Sequence, residues 1–249
     1  MEYAKEGVMS LAEKSALVVG GGTGIGLAIA QALAEAGAKV AVAGRRFEVL
    51  TEAAATSTAE IHCHSVDVSD RKSVQDLFAW ADQTLGQVDI LVNAAGVNIK
   101  NRSMEAMTPD DWDRVMQINT TGAYNLMYAA LPQMRRRKDG LIINISSIAG
   151  KRAIALGGIA YAASKFAMTA LGTAAGNEEN KHGVRITNIY PGEVDTPLLT
   201  QRPQPVTEEH RGRMLQPEDF KEVVLAICNL PPRAHVPELI VKPTTQEYV

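Results

Sequence analysis

Short apolar runs rich in β-branched residues alternate along this chain with amphipathic stretches of helical period, and that alternation leaves few architectures open. The strand-like runs fall at residues 16–19, 39–43, 60–65, 89–92, 141–145, 184–190 and 238–241. Helical patterns occupy 24–36, 47–55, 71–85, 109–136, 160–181 and 217–229. Strands joined through helices pair in parallel by right-handed crossovers, and a parallel sheet needs helices on both faces. The expectation is a doubly wound α/β fold with a seven-stranded parallel sheet. At 249 residues, 46% of them apolar, the chain can bury most of its surface in a single domain over 1–249. One long irregular stretch, 197–216, holds three prolines and many polar residues. Its start just past a strand end suits a mobile lid over a site, and a plain surface excursion fits the same composition.

Charge and composition narrow the function classes. A net charge of -3 and a single short basic run, residues 135–138, give no electrostatic footprint for nucleic acid. That run suits the end of a helix, where cations are favoured. Cys63 and Cys228 follow no pairing pattern, which fits inert thiols in a reducing compartment. His62, Cys63 and His64 lie in a strand-like run without spaced partner ligands, so no metal site is expected. Residues 1–14 carry three glutamates and no apolar export core, and no run reaches membrane-spanning length. A cytoplasmic location without membrane contact is expected.

The first strand ends in Gly20-Gly21-Gly22-Thr23-Gly24-Ile25-Gly26 and runs directly into a helix. Glycines there let the backbone turn tightly and approach a pyrophosphate, whose charge meets the free N–H groups and positive dipole end of the helix. A tight turn alone would also use glycine; the strand, loop and helix context points to a dinucleotide.

Tyr161 and Lys165 are four apart in Tyr-Ala-Ala-Ser-Lys, fourteen residues after Ser147. Residues four apart share a helix face, so a phenol and an ammonium here can meet one small molecule. A free phenol titrates near pH 10, and a neighbouring cation helps it exchange protons at neutral pH. A half-buried tyrosine beside a solvated lysine would give the same spacing.

The spacing Gly20-x3-Gly24-x-Gly26 resembles that of the short-chain dehydrogenase/reductase family. Asn93-Ala94-Ala95-Gly96, Asn119 in Ile-Asn-Thr-Thr-Gly, Ser147 with Gly150, Tyr161, Lys165, and Pro191-Gly192 with Val194 and Thr196 follow in that family's order, covering nearly the whole chain. The resemblance implies a compact Rossmann fold and a nicotinamide-dependent oxidoreductase acting on a small carbonyl or alcohol substrate. It implies that Tyr161 is the acid or base at the substrate oxygen and that Lys165 depresses the phenol's pKa and binds the nicotinamide ribose. Ser147 would hold the substrate oxygen. Asn119 would break regular helix bonding to hold a water linked to the lysine. Ser147 as a strand-end cap and Asn119 as an ordinary helix amide are the alternatives. Gly20, Gly22, Thr23, Gly24, Ile25 and Gly26 would cradle the cofactor, with Asn93 to Gly96, Tyr161, Lys165, Pro191, Gly192, Val194 and Thr196 contributing further contacts. Three departures stand out: Val19 where the family commonly has threonine, Ala94 where a second asparagine often occurs, and a C-terminal stretch without the Asp-Gly-Gly ending tied to tetramer contacts.

An acidic residue after the second strand would favour NAD; Gly44, Arg45 and Arg46 stand there instead, so NADP is expected over NAD. Arg45 and Arg46 opening the next helix in solvent is the alternative. Asp67 and Val68 resemble the family pair at the adenine ring. Lys151 and Arg152 would favour a substrate anion if they face the pocket, and Glu193 would suit an alcohol or amine. Segments 104–136 and 161–180 carry more apolar surface than one core stripe needs, which predicts a homodimer or homotetramer. A second function class remains, a dinucleotide-sensing module that regulates a partner without turnover. It has no need of Ser147, Tyr161 and Lys165 together.

Overall fold

β1 (Ser15–Val19) is buried at every position, because helices cover both faces of the sheet to which it belongs. A computed structural model of the protein describes residues 11–248; residues 1–10 and Val249 of the expected domain, with most of the segment read for an export signal, lie outside that part. Beside β1 run β2 (Lys39–Gly44), β3 (Ile61–Ser65), β4 (Ile90–Asn93), β5 (Gly140–Ile145), β6 (Val184–Pro191) and β7 (Glu238–Val241). They form one parallel sheet in the order β3-β2-β1-β4-β5-β6-β7. The period of two is legible in the core. Ala16 and Val18 pack on one side with Ile29, Leu33 and Phe220, while Leu17 and Val19 pack on the other with Leu77, Leu91 and Leu126. The doubly wound Rossmann fold is therefore the architecture of the chain.

The helices are α1 (Gly24–Glu35), α2 (Phe47–Ala55), α3 (Arg71–Leu85), α4 (Pro109–Met116), α5 (Gly122–Arg137), α6 (Ile159–Glu179), the single turn α7 (Glu208–Arg211) and α8 (Lys221–Cys228). Their ends follow local chemistry. Asp70 caps α3 by accepting from the Lys72 N–H, and Thr108 caps α4 by accepting from the Asp111 N–H ahead of Pro109. The helix expected over 109–136 divides at a π-helical turn, Gln117–Thr121, which joins α4 to α5. The last helical pattern opens with a 3-10 turn, Pro217–Phe220. Each sequence boundary shifts by one or two residues at most at the strand ends.

Because β2 and β3 extend the sheet to one side of β1 while β4 to β7 extend it to the other, a crevice opens above the β1 and β4 carboxyl ends. Residues 197–202 border it, and the irregular stretch that they open continues to 216. That stretch begins with a 3-10 turn, Pro197–Gln201, contains α7, and returns through a bridge between Val194 and Leu215. Ion pairs from Arg202 to Glu193 and from Arg211 to Asp195, with the His210 ring nitrogen 2.7 Å from Glu193, tie this segment to the end of β6.

Candidate active site

A cavity of ≈ 540 Å³ occupies this crevice. Its volume falls in the range of small-molecule sites. One end is the glycine turn between β1 and α1. Gly20 has φ 83°, and a Cβ at Gly26 would lie 2.3 Å from the Gly20 carbonyl oxygen, so the loop closes on itself only without side chains. Thr23 precedes α1 in extended backbone and makes no side-chain cap bond, which leaves the first-turn N–H groups free for an anion. Gly22, Thr23, Gly24 and Ile25 line this end. Thr196 closes over it, its methyl 3.0 Å from where a Gly24 Cβ would stand.

Arg45 and Arg46 line the cavity past the end of β2, with Asp67 and Val68 beyond β3. Two hydrogen bonds from Ser69, backbone N–H at 2.9 Å and hydroxyl at 2.6 Å, occupy the Asp67 carboxylate and hold it below the usual carboxylate range. Ala94, Ala95 and Gly96 continue the wall, as do Pro191, Gly192 and Val194. Asn93 does not reach it. It lies in register with Asn144 and Asn188 across β4, β5 and β6, and its amide donates to the Asn144 carbonyl at 3.5 Å, so it braces the sheet from within. The residues fit a dinucleotide phosphate: a turn that only glycine can make, an uncapped helix start and two guanidinium groups at the edge.

At the other end, Ser147, Tyr161 and Lys165 line the cavity together. α6 presents the phenol and the amine on one face, and the Lys165 Nζ sits 5.7 Å from the Tyr161 ring centre. Lys165 is only 3% exposed; its ammonium donates to the Ile145 carbonyl at 2.9 Å, and burial lowers its pKa to about 7. Burial pushes the Tyr161 hydroxyl above its ordinary range, while a hydrogen bond with the Ser147 hydroxyl and the Arg102 guanidinium pull it back. Burial is the largest influence on both residues. The cation that does lower the phenol's pKa is Arg102, which the motifs do not reveal.

Ser147 also accepts from the Ala149 N–H at 3.1 Å, capping the 3-10 turn Ile148–Gly150, so its cap and cavity positions coexist. Ser146 is turned instead toward α6, its hydroxyl 3.2 Å from that of Thr169. Asn119 sits in the π turn, fully buried behind the cavity wall. Its amide donates to the Val97 carbonyl and to the Ser164 hydroxyl, both at 2.9 Å, and its carbonyl accepts from the Val97 N–H at 2.8 Å. It is a brace between the loop after β4 and α6, where a regular helix amide would need no such partners.

Lys151 and Arg152 do not line the cavity. Lys151 pairs with Glu238 and lies over the Tyr190 ring, and Arg152 lies over Tyr248. Glu193 does line it, alongside Arg102, Arg202 and Gln246, none of which belongs to a motif. Among the described residues no three His, Cys, Asp or Glu side chains gather as metal ligands; His64 instead stacks against Trp80. No described helix is long and apolar enough to cross a membrane. Burial pushes both thiols up, Cys228 to about 12.

A family model described as short chain dehydrogenase matches residues 14–206. The chain is 36% identical over 234 residues to an uncharacterized oxidoreductase of Staphylococcus aureus (strain USA300), covering 94% of this chain and 98% of that one. Among solved structures, it is similar to an alcohol dehydrogenase from the archaeon Thermococcus sibiricus complexed with 5-hydroxy-NADP, at TM-score 0.83 and 28% identity, covering 94% and 98% of the two chains. A serine dehydrogenase complexed with NADP+ superposes at TM-score 0.86 with 29% identity, covering 94% and 96%.

Proposed function

The chain belongs to the short-chain dehydrogenase family and is an oxidoreductase, and from that premise we propose that it interconverts a secondary alcohol and a ketone or aldehyde with NADP(H), using Tyr161 as acid and base. The observation that carries this reading is the convergence of Ser147, Tyr161 and Lys165 at one end of a cavity whose other end is the glycine turn. NADP(H), when bound, supplies or accepts the hydride. Tyr161 gives its proton to the carbonyl oxygen in reduction and takes the hydroxyl proton in oxidation. Ser147 donates to the same oxygen, so charge growing there meets a fixed dipole. Lys165 holds the ribose, and Asn119 keeps the loop after β4 and α6 in register behind it.

Preference for NADP over NAD rests on Arg45 and Arg46 at the cavity wall where an acidic residue would otherwise repel a 2′-phosphate, and the NADP complexes of the structural relatives agree with it. One domain carries both nucleotide and substrate sites, with 197–216 as the lid and the cytoplasm as its location. A second copy of the chain covers α5 and α6, where Tyr128, 67% exposed, stacks on the exposed Tyr124 and Phe166 is exposed as well. Sedimentation at micromolar concentration should show a dimer or tetramer, and a monomer would remove that part. The central test mixes the protein with NADPH and a panel of ketones and follows the reduced nicotinamide by absorbance. Tight cofactor binding without turnover of any ketone would favour a dinucleotide sensor.

A further inference from the structure

Arg102 and Arg202 line the cavity together with Glu193, and Arg114 lines it too. Arg102 follows β4, and its guanidinium donates to the carbonyls of Ile99 (2.8 Å), Leu156 and Gln201 (2.8 Å). These contacts use three of its five N–H groups and fix it across the loop after β4, the loop before α6 and the segment 197–216. Among the described residues Arg102 has no carboxylate partner. Arg202, with only 12% of its side chain exposed, pairs with Glu193 at 3.2 Å, and the same Glu193 oxygen lies 2.7 Å from the His210 ring nitrogen.

We propose that Arg102 and Arg202 form an anion site that selects a carbonyl or alcohol substrate bearing a carboxylate or phosphate, an inference that rests on the oxidoreductase reading above. Arg202 meets the Glu193 carboxylate and the half-buried Arg102 meets none, so one positive charge is left unmatched away from bulk water, and such a charge is costly until an anion meets it. Burial and the nearby Arg202 both hold the Arg102 pKa below its ordinary range, while the Tyr161 phenol raises it, which places this charge within electrostatic reach of the reacting hydroxyl. Arg102 is already pinned by three backbone carbonyls, so little side-chain freedom is lost when its remaining donors meet an oxyanion. The nucleotide phosphates are accounted for elsewhere, by the glycine turn after β1 and by Arg45 and Arg46 after β2. Arg102 and Arg202 stand beyond β4 and β6, on the far side of the switch point.

Calorimetric titration of the NADP+-loaded protein decides the matter with two matched probe pairs: 4-oxopentanoate against its methyl ester, and dihydroxyacetone phosphate against dihydroxyacetone. The anionic member of one pair should bind at least about 10-fold more tightly than its neutral partner, a preference that weakens as salt rises. Whichever pair shows it separates carboxylate from phosphate. Arg202→Gln should bring that ratio close to one. Arg102→Gln should do the same, and because it also loosens three loops, Arg202→Gln and the salt dependence decide if that variant does not fold. Equal binding within both pairs, no binding by any probe, or a preference that survives Arg202→Gln overturns the anion site. If ketones are turned over while anions gain nothing, only the anion site falls; if anions are preferred and no ketone is ever reduced, the oxidoreductase reading falls instead.

Discussion

The two ends of the cavity are assembled differently. The turn that would cradle a nucleotide phosphate comes from one short stretch, residues 20–26, with further wall residues after β2, β3, β4 and β6; the substrate end gathers Arg102, Glu193, Arg202 and Gln246, none of them in such a motif. A pyrophosphate is read by backbone N–H groups, so its site demands a particular chain path, and only glycines in a fixed spacing follow it. A substrate is read by side chains, which any loop of suitable length can deliver. The first end is therefore constrained by backbone sterics. The second is held by ion pairs and by the three carbonyl contacts of Arg102, devices that can be rearranged without disturbing the sheet.

Four experiments press on that contrast. The largest effect is expected at the junction of the two ends: Tyr161→Phe should lower kcat by roughly 10²- to 10⁴-fold while NADPH still binds, measured by steady-state kinetics beside a fluorescence titration. Unchanged kcat on a turned-over ketone would remove the phenol from the chemistry. Next comes the glycine turn. Gly26→Ala would place a methyl 2.3 Å from the Gly20 oxygen and 2.9 Å from its carbon, both backbone atoms, so the loop must open. A loss of about 1–3 kcal/mol in stability is expected, with lost cofactor binding, and a wild-type melting curve would show that the turn is not confined as described.

Arg45→Ala should cut the preference for NADPH over NADH by about 10-fold, since one charge-assisted contact to a phosphate is removed. An equal loss for both cofactors would mean that Arg45 supports the fold and reads no phosphate. The smallest effect concerns Lys165 in the cofactor-free protein. Its folded pKa of about 7 lies below the ordinary lysine value of 10.5, so the native state releases this proton first as pH rises. The unfolded chain then binds more protons between those values, and stability grows with pH across that window. Lys165→Met should accordingly raise Tm more at pH 6 than at pH 9. A gain independent of pH would show that the amine is not desolvated.

The alternation of apolar strand runs with helical stretches and the glycine turn were readable along the chain, because each depends on residues within a few positions of one another. The shared helix face of Tyr161 and Lys165 was readable for the same reason. The π turn at Asn119 was not readable from pattern, since helical period continues through it; only the resemblance to the family pointed there. Lys151 and Arg152 were plausible anion contacts on proximity to Ser147 alone. The chain instead turns them outward to Glu238 and Tyr248, a direction set by where β7 and the C-terminal residues pack.

By itself, then, the order of residues determined the parallel sheet and the glycine turn after β1, since short-range sterics and periodicity decide these. Tertiary structure alone decided the balance of charge around the phenol. Burial lowers the Lys165 pKa, and the Arg102 guanidinium, from another loop, pulls that of the phenol down. Desolvation and charge proximity depend on distances between segments far apart in the chain, and no local pattern encodes them.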